Sequence, residues 1–230
     1  MKTTTKEIKV SLDFGSEIQK VGRLAIHNSL IYFEYEEAFL QTNLEISPIK
    51  LPLQRGVIEL PKSPFEGLAG VFNDSLPDGW GRLLFDRLLR SEGVYPSDIS
   101  PLDRLAYVGL NGLGALVYEP DQSLNDNNER INLDVLAAQT EEVLQGESEE
   151  VIAELLALNG SSAGARPEAL IGVDYERKNI VHGKDQLSNG LEHWMVKFAN
   201  SQDGLDAGAI EYVYGLMALD AGIEMPNIHL

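Results

Sequence analysis

An α+β fold, built from two small sheets with helices between and after them, is what this sequence predicts, and three patterns carry that reading. Between the N-terminus and Leu60, apolar and polar side chains alternate in short runs, as half-buried strands require. From Trp80 to Leu158 apolar residues recur at helical spacing instead. From Gly160 short strand patterns return, and one more helical run follows them to Leu219.

The elements follow in order. Ile8–Phe14, Gly22–Ile26 and Leu30–Tyr35 read as strands of a small, barrel-like N-terminal sheet. Pro48, Pro52, Pro61 and Pro64 then punctuate a loop-rich passage. Ser75 and Asp78 have the spacing of a capping box, and Pro77 suits a first helical turn. Trp80, Leu83, Leu84 and Leu88 form the apolar face of that helix, with Trp80 as its core anchor; Gly93 and Pro96 end it. Pro101–Val108 suggests another short helix. DQSLNDNNER, Asp121 to Arg130, has no apolar pattern and marks a boundary. The division is therefore 1–120 as a first domain, 121–130 as a linker, and 131–230 as a second domain. In the second, Asn132 and Ser148 are candidate caps for two helices, the first stopped by Gly146. Ala169–Val173, Asn179–His182 and Trp194–Ala199 make a small sheet. Leu205, Ala209, Tyr212, Val213, Leu216 and Leu219 predict an amphipathic helix, ended by Gly222 and Pro226.

Composition excludes several kinds of chemistry. The 230 residues include no cysteine, which removes disulfides, thiolate zinc sites and a cysteine nucleophile. A net charge of -18 repels phosphates and anionic lipid, so direct nucleic-acid or membrane binding is not expected. No apolar run approaches the roughly 20 residues of a spanning helix, and the N-terminus lacks a secretory apolar core. A cytoplasmic protein is expected. His27, His182, His193 and His229 are not at metal-ligand spacing, so they read as structural and no metal site is expected. The seven acidic residues between Arg130 and Arg166 read as a solvated helical face.

One ordered constellation stands out. Gly160, Ser161, Ser162, Ala163 and Gly164 are small enough for backbone N–H groups to approach a phosphate, although an ordinary turn uses the same residues. Lys197 lies among apolar neighbours in WMVKF. A buried ammonium there needs an anionic partner; a lysine snorkelling from an edge strand is the alternative. Glu211 follows on the next helix. Small-residue loop, strand lysine and helix glutamate occur in the order of a kinase's nucleotide-binding N-lobe.

Longer stretches carry a family resemblance. FNDSLPDGWGRLLFDRLL at 72–89 and PLDRLAYVGLNGLGALVYEP at 101–120 are similar to the N-terminal subdomain of the HipA family of serine/threonine kinases. SSAGARPEALIGV at 161–173 resembles that family's phosphate-loop region, HWMVKFAN at 193–200 its lysine strand, and the residues from Ala209 to Leu230 its next helix. The resemblance implies a toxin–antitoxin kinase using ATP and Mg2+, partnered by a small DNA-binding, HipB-like antitoxin and able to phosphorylate a protein such as an aminoacyl-tRNA synthetase. It implies that Lys197 holds the ATP phosphates, supported by Glu211. It also implies that residues 160–164 form a loop over those phosphates, with Ser161 or Ser162 as autophosphorylation acceptor. A phosphate there would add nearly two negative charges and repel ATP.

Two features depart from the family. Glu168 stands where a lysine often follows Ala-Arg-Pro, and the sequence reaches Leu230 soon after Glu211. The base and metal ligands of phosphoryl transfer are expected in a C-terminal lobe, so no catalytic residue is expected in this chain and the isolated chain is expected to be inactive. Two other readings compete with a kinase N-terminal part. One is a non-catalytic module that binds a separate kinase lobe or an antitoxin. The other is an unrelated small-molecule-binding α+β protein.

Overall fold

The structure, a computed structural model, describes residues 5–77, 79–124, 130–146, 152–159, 166–183, 187–200, 203–204 and 206–230. Strands β1 (Glu7–Asp13), β2 (Ile18–His27) and β3 (Leu30–Tyr35) form an antiparallel meander. Asn28 and Ser29, both at positive φ, make the two-residue turn between β2 and β3, whose backbone twist matches that of the paired strands. Helix α1 (Glu37–Leu40) follows, and β4 (Val57–Glu59) adds to β3. Gly22 lies where β2 meets β3. A Cβ there would come within 2.3 Å of the Glu34 carbonyl oxygen, an approach the backbone cannot relieve by rotating a side chain.

Next come the short α2 (Gly70–Asn73), then α3 (Gly79–Ser91) and α4 (Pro101–Val108). Strand β5 (Leu116–Glu119) pairs with the far side of β1 and completes a five-stranded sheet in the order β4-β3-β2-β1-β5. Neither β4 nor β5 is foreseen in the sequence. The first is very short, and the second continues an apolar run too glycine-rich to show a period. One sheet face buries Ile8, Val10, Leu24 and Phe33 against Phe72 of α2 and Leu102 and Leu105 of α4. Alternation along β3 does this directly, since Ile31, Phe33 and Tyr35 all point inward.

The expected capping box at Ser75 is not what Ser75 does. Its Oγ accepts a 2.6 Å hydrogen bond from the buried Tyr118 hydroxyl of β5, far along the chain, and α3 begins only at Gly79. Asp78, its expected companion, lies outside the described residues. A capping box does form at α4. Ser100 accepts from the Asp103 backbone N–H, and Asp103 accepts from the Ser100 N–H, at 3.1 and 2.9 Å.

Helix α5 (Leu133–Gln145) is capped by Asn132, which accepts from the N–H groups of Asp134 and Val135, and closes on Gly146 in the left-handed conformation. The second candidate cap, Ser148, lies outside the described residues. Helix α6 (Ile152–Asn159) leads to β6 (Glu168–Asp174), β7 (Ile180–His182) and β8 (Leu191–Lys197), an antiparallel sheet in the order β7-β6-β8. A second core joins Trp80, Leu84, Phe85 and Leu89 of α3 to Leu136, Val143, Leu156 and Ala169 of the later elements. This core draws on both sides of residues 121–130.

Helix α7 (Ala207–Asp220) is the last element, and it departs from the amphipathic expectation. Ile210, Val213, Tyr214, Leu216, Met217 and Leu219 are all exposed, and only Gly215 is buried, under Ile228. Ile210, Tyr214 and Met217 fill the side that an amphipathic helix would leave polar. Among the described residues no helix is long and apolar enough to cross a membrane.

Candidate functional site

Lys197 ends β8 and Glu211 sits on the second turn of α7, so the segment between them must turn the chain back to bring the two together. They meet: the Lys197 ammonium donates to Glu211 Oε1. Each side chain is about half exposed. The lysine is therefore not buried in a core-like strand. Strand β8 is an edge paired with β6, and Met195 is exposed with it, so Lys197 takes the edge-strand alternative.

Two residues missed in the sequence extend the pair. Arg166, just before β6, reaches Glu211 Oε2 at 3.6 Å through Nη1 and donates to Asp203 Oδ1 at 2.9 Å through Nη2. Asp203 is mostly shielded, and its other oxygen accepts from the Asn200 backbone N–H at 2.9 Å. The result is a chain of alternating charge, Asp203–Arg166–Glu211–Lys197. Its available signal was the arginine of Ala-Arg-Pro, which the sequence places immediately before the strand opposite Lys197.

Glu168 is directly opposite Lys197 in the β6–β8 register and is buried, with Oε1 lacking a hydrogen-bond partner among the described residues. Its side chain is therefore shielded from solvent on the same face of the sheet as Lys197. His193 plays a structural part, donating from Nδ1 to the Gly183 carbonyl at 2.8 Å. Gly160, Ser161, Ser162, Ala163 and Gly164, the expected phosphate loop and its acceptor serines, lie outside the described residues.

The arrangement offers one ammonium and one guanidinium facing solvent at a sheet edge, each steadied by Glu211. Such a pair can hold the oxygens of a phosphate without a large rearrangement. Among the described residues no three His, Cys, Asp or Glu side chains come together as a metal-binding group.

The family profile described as the HipA N-terminal domain matches residues 13–119. The chain carries a HipA N-terminal domain. The match supports the HipA family membership that the motifs at 72–89 and 101–120 suggest, since both lie within or at the edge of it. It runs from the last residue of β1 to the last residue of β5. The matched span thus takes in β2 to β5 with α1 to α4, and only Asp13 of β1, while Lys197, Glu211 and Arg166 stand beyond it. No curated protein matches the chain.

Proposed function

We propose that this chain is the N-terminal part of a HipA-like serine/threonine protein kinase of a toxin–antitoxin system, acting in the cytoplasm. The observation that carries the reading is the Lys197–Glu211 ion pair, a strand lysine held by the following helix, behind a HipA N-terminal domain. ATP, when bound, supplies the phosphoryl group. Lys197 would hold its phosphates, with Arg166 alongside and Glu211 orienting the ammonium. One of the three ammonium donors goes to Glu211, and the exposure of the side chain leaves it open to a ligand. Residues 160–164 would cover the phosphates, with Ser161 or Ser162 as acceptor.

In this reading the base and metal ligands of transfer belong to a C-terminal lobe, so binding without transfer is expected of this chain by itself. The protein substrate, in the manner of an aminoacyl-tRNA synthetase, and a HipB-like antitoxin belong to the same reading. The exposed apolar faces of α7 support a second one, in which the chain is a non-catalytic module that docks on a separate kinase lobe or on the antitoxin. Titration with a fluorescent ATP analogue separates the two. The kinase reading expects saturable binding that Lys197→Ala weakens at least about tenfold. Equal binding by both proteins, or no binding by either, would favour the docking module. Incorporation of labelled phosphate by the chain alone would overturn the expectation of inactivity.

A further inference from the structure

A cavity of about 80 Å³ lies between the two cores, lined by Phe65, Glu66, Leu76, Arg82, Phe85 and Arg104 among others. Of the two arginines that line it, Arg104 is nearly buried, its side chain only 10% exposed, and Arg82 is half exposed, at the mouth. We infer that this cavity is a binding site for a small oxyanion, a phosphate or a carboxylate, gripped by Arg104 within and Arg82 at the mouth.

A buried guanidinium must find acceptors, because removing its charge and N–H groups from water is costly. Among the described residues Arg104 Nε has no hydrogen-bond partner. Asp86 Oδ1 is 3.9 Å from its Nη1, which is beyond hydrogen-bond distance, and among the described residues that oxygen is itself buried without a hydrogen bond. At the mouth, Arg82 faces Glu66 at 3.6 Å, again too far for a hydrogen bond, with both side chains well exposed. Two cations, Arg82 and Arg104, and one carboxylate, Glu66, therefore line the space, and neither guanidinium is within hydrogen-bond distance of the carboxylate paired with it. Burial first, and then the like charge of Arg82, pull the Arg104 guanidinium below its usual range; Asp86 and Glu66 oppose this. An anion between the two arginines would relieve both effects at once.

Size and shape narrow the ligand. A water needs roughly 10–15 Å³ of such space, so the cavity takes about five to eight heavy atoms. That suits a phosphate or a short carboxylate and excludes a nucleotide. Planar guanidinium forks match the spacing of oxygens in either group. The site lies in the HipA N-terminal domain, separate from the Lys197 pair, and does not depend on the kinase reading.

The test uses the whole chain, titrated separately with inorganic phosphate and with acetate at ionic strength held constant by chloride. Thermal midpoint and the arginine Nε–Hε NMR signals are followed. Saturable binding with movement of the Arg104 signal is expected from at least one ion. Phosphate alone would assign a phosphate-bearing ligand, acetate alone a carboxylate, and both the shared oxyanion chemistry. Arg104→Gln risks the fold, so the decisive variants are at the exposed mouth. Arg82→Gln is expected to weaken binding by about tenfold, and Glu66→Gln, which removes a repelling charge, to tighten it by about threefold. Saturation by neither ion, or the same affinity in Arg82→Gln as in the parent, overturns the proposal.

Discussion

Lys197, the last residue of β8, donates its ammonium hydrogen to Glu211 on the second turn of α7. The pair ties the edge of the small sheet to the helix that follows it. Both side chains are about half exposed, so the contact is worth only about 0–1 kcal/mol to the fold. Its place among Arg166 and Asp203 accords with the binding role proposed for it.

That imbalance makes the pair easy to test. Lys197→Ala and Glu211→Gln are expected to leave the urea midpoint nearly unchanged, within about 1 kcal/mol. Both should weaken binding of an ATP analogue, with the lysine variant showing the larger loss. A collapse of stability in either variant would mean that the pair serves the fold.

Ser75 and Tyr118 carry the opposite weight. Removing the Tyr118 hydroxyl by Tyr118→Phe leaves a serine that lies near water, at an expected cost of about 1 kcal/mol. Ser75→Ala instead strands a hydroxyl inside the core and is expected to cost about 1–3 kcal/mol. Chemical denaturation of the two variants gives the order directly. Equal small losses would argue against the hydrogen bond.

Alkaline pH should expose the buried tyrosines. Tyr35 donates to the Leu51 carbonyl at 2.6 Å, and burial, with the charge of Glu45 adding to it, pushes its hydroxyl up to about 12. Burial also raises Tyr107 and Tyr118. Each is neutral when protonated, and the folded chain holds that proton more tightly than the unfolded chain does. Their contribution is thus complete below the unfolded value of about 10 and is lost as the pH rises from there through the folded values. The thermal midpoint is expected to fall progressively above about pH 10, less steeply in Tyr35→Phe. A fall equally steep in both proteins would show that Tyr35 takes no part in it.

The exposed side chains of α7 lead to a prediction about association. Ile210, Tyr214 and Met217 are each more than half exposed and lie on one side of the helix. Such a surface promotes contact with other molecules. Light scattering is expected to show concentration-dependent self-association of the chain, reduced in Tyr214→Ser/Met217→Ser. A monodisperse monomer at every concentration would contradict this.

Local signals in the sequence were sufficient where a segment's own residues decide its structure. Alternation and aromatic content located β1 to β3. Pro101–Val108 was legible as α4 to the residue, and Asn132 with Gly146 marked both ends of α5. The order of Lys197 and Glu211 along the chain was legible too, as was the resemblance within the HipA N-terminal domain.

What the chain's own pattern could not decide were relations between distant segments. Ser75 reads as a cap until Tyr118 arrives from β5 and takes its oxygen. Lys197 reads as core-like until β8 proves to be an edge, and Arg166 has no evident role until the turn of the chain brings Glu211 beside it. Arg104 looks like an ordinary helical arginine; only the meeting of two cores buries it at a cavity that Arg82 also lines. Periodicity reports which side of an element is apolar, but partners, exposure and charge neighbours depend on packing between elements. That packing is where the two candidate sites of this protein arise.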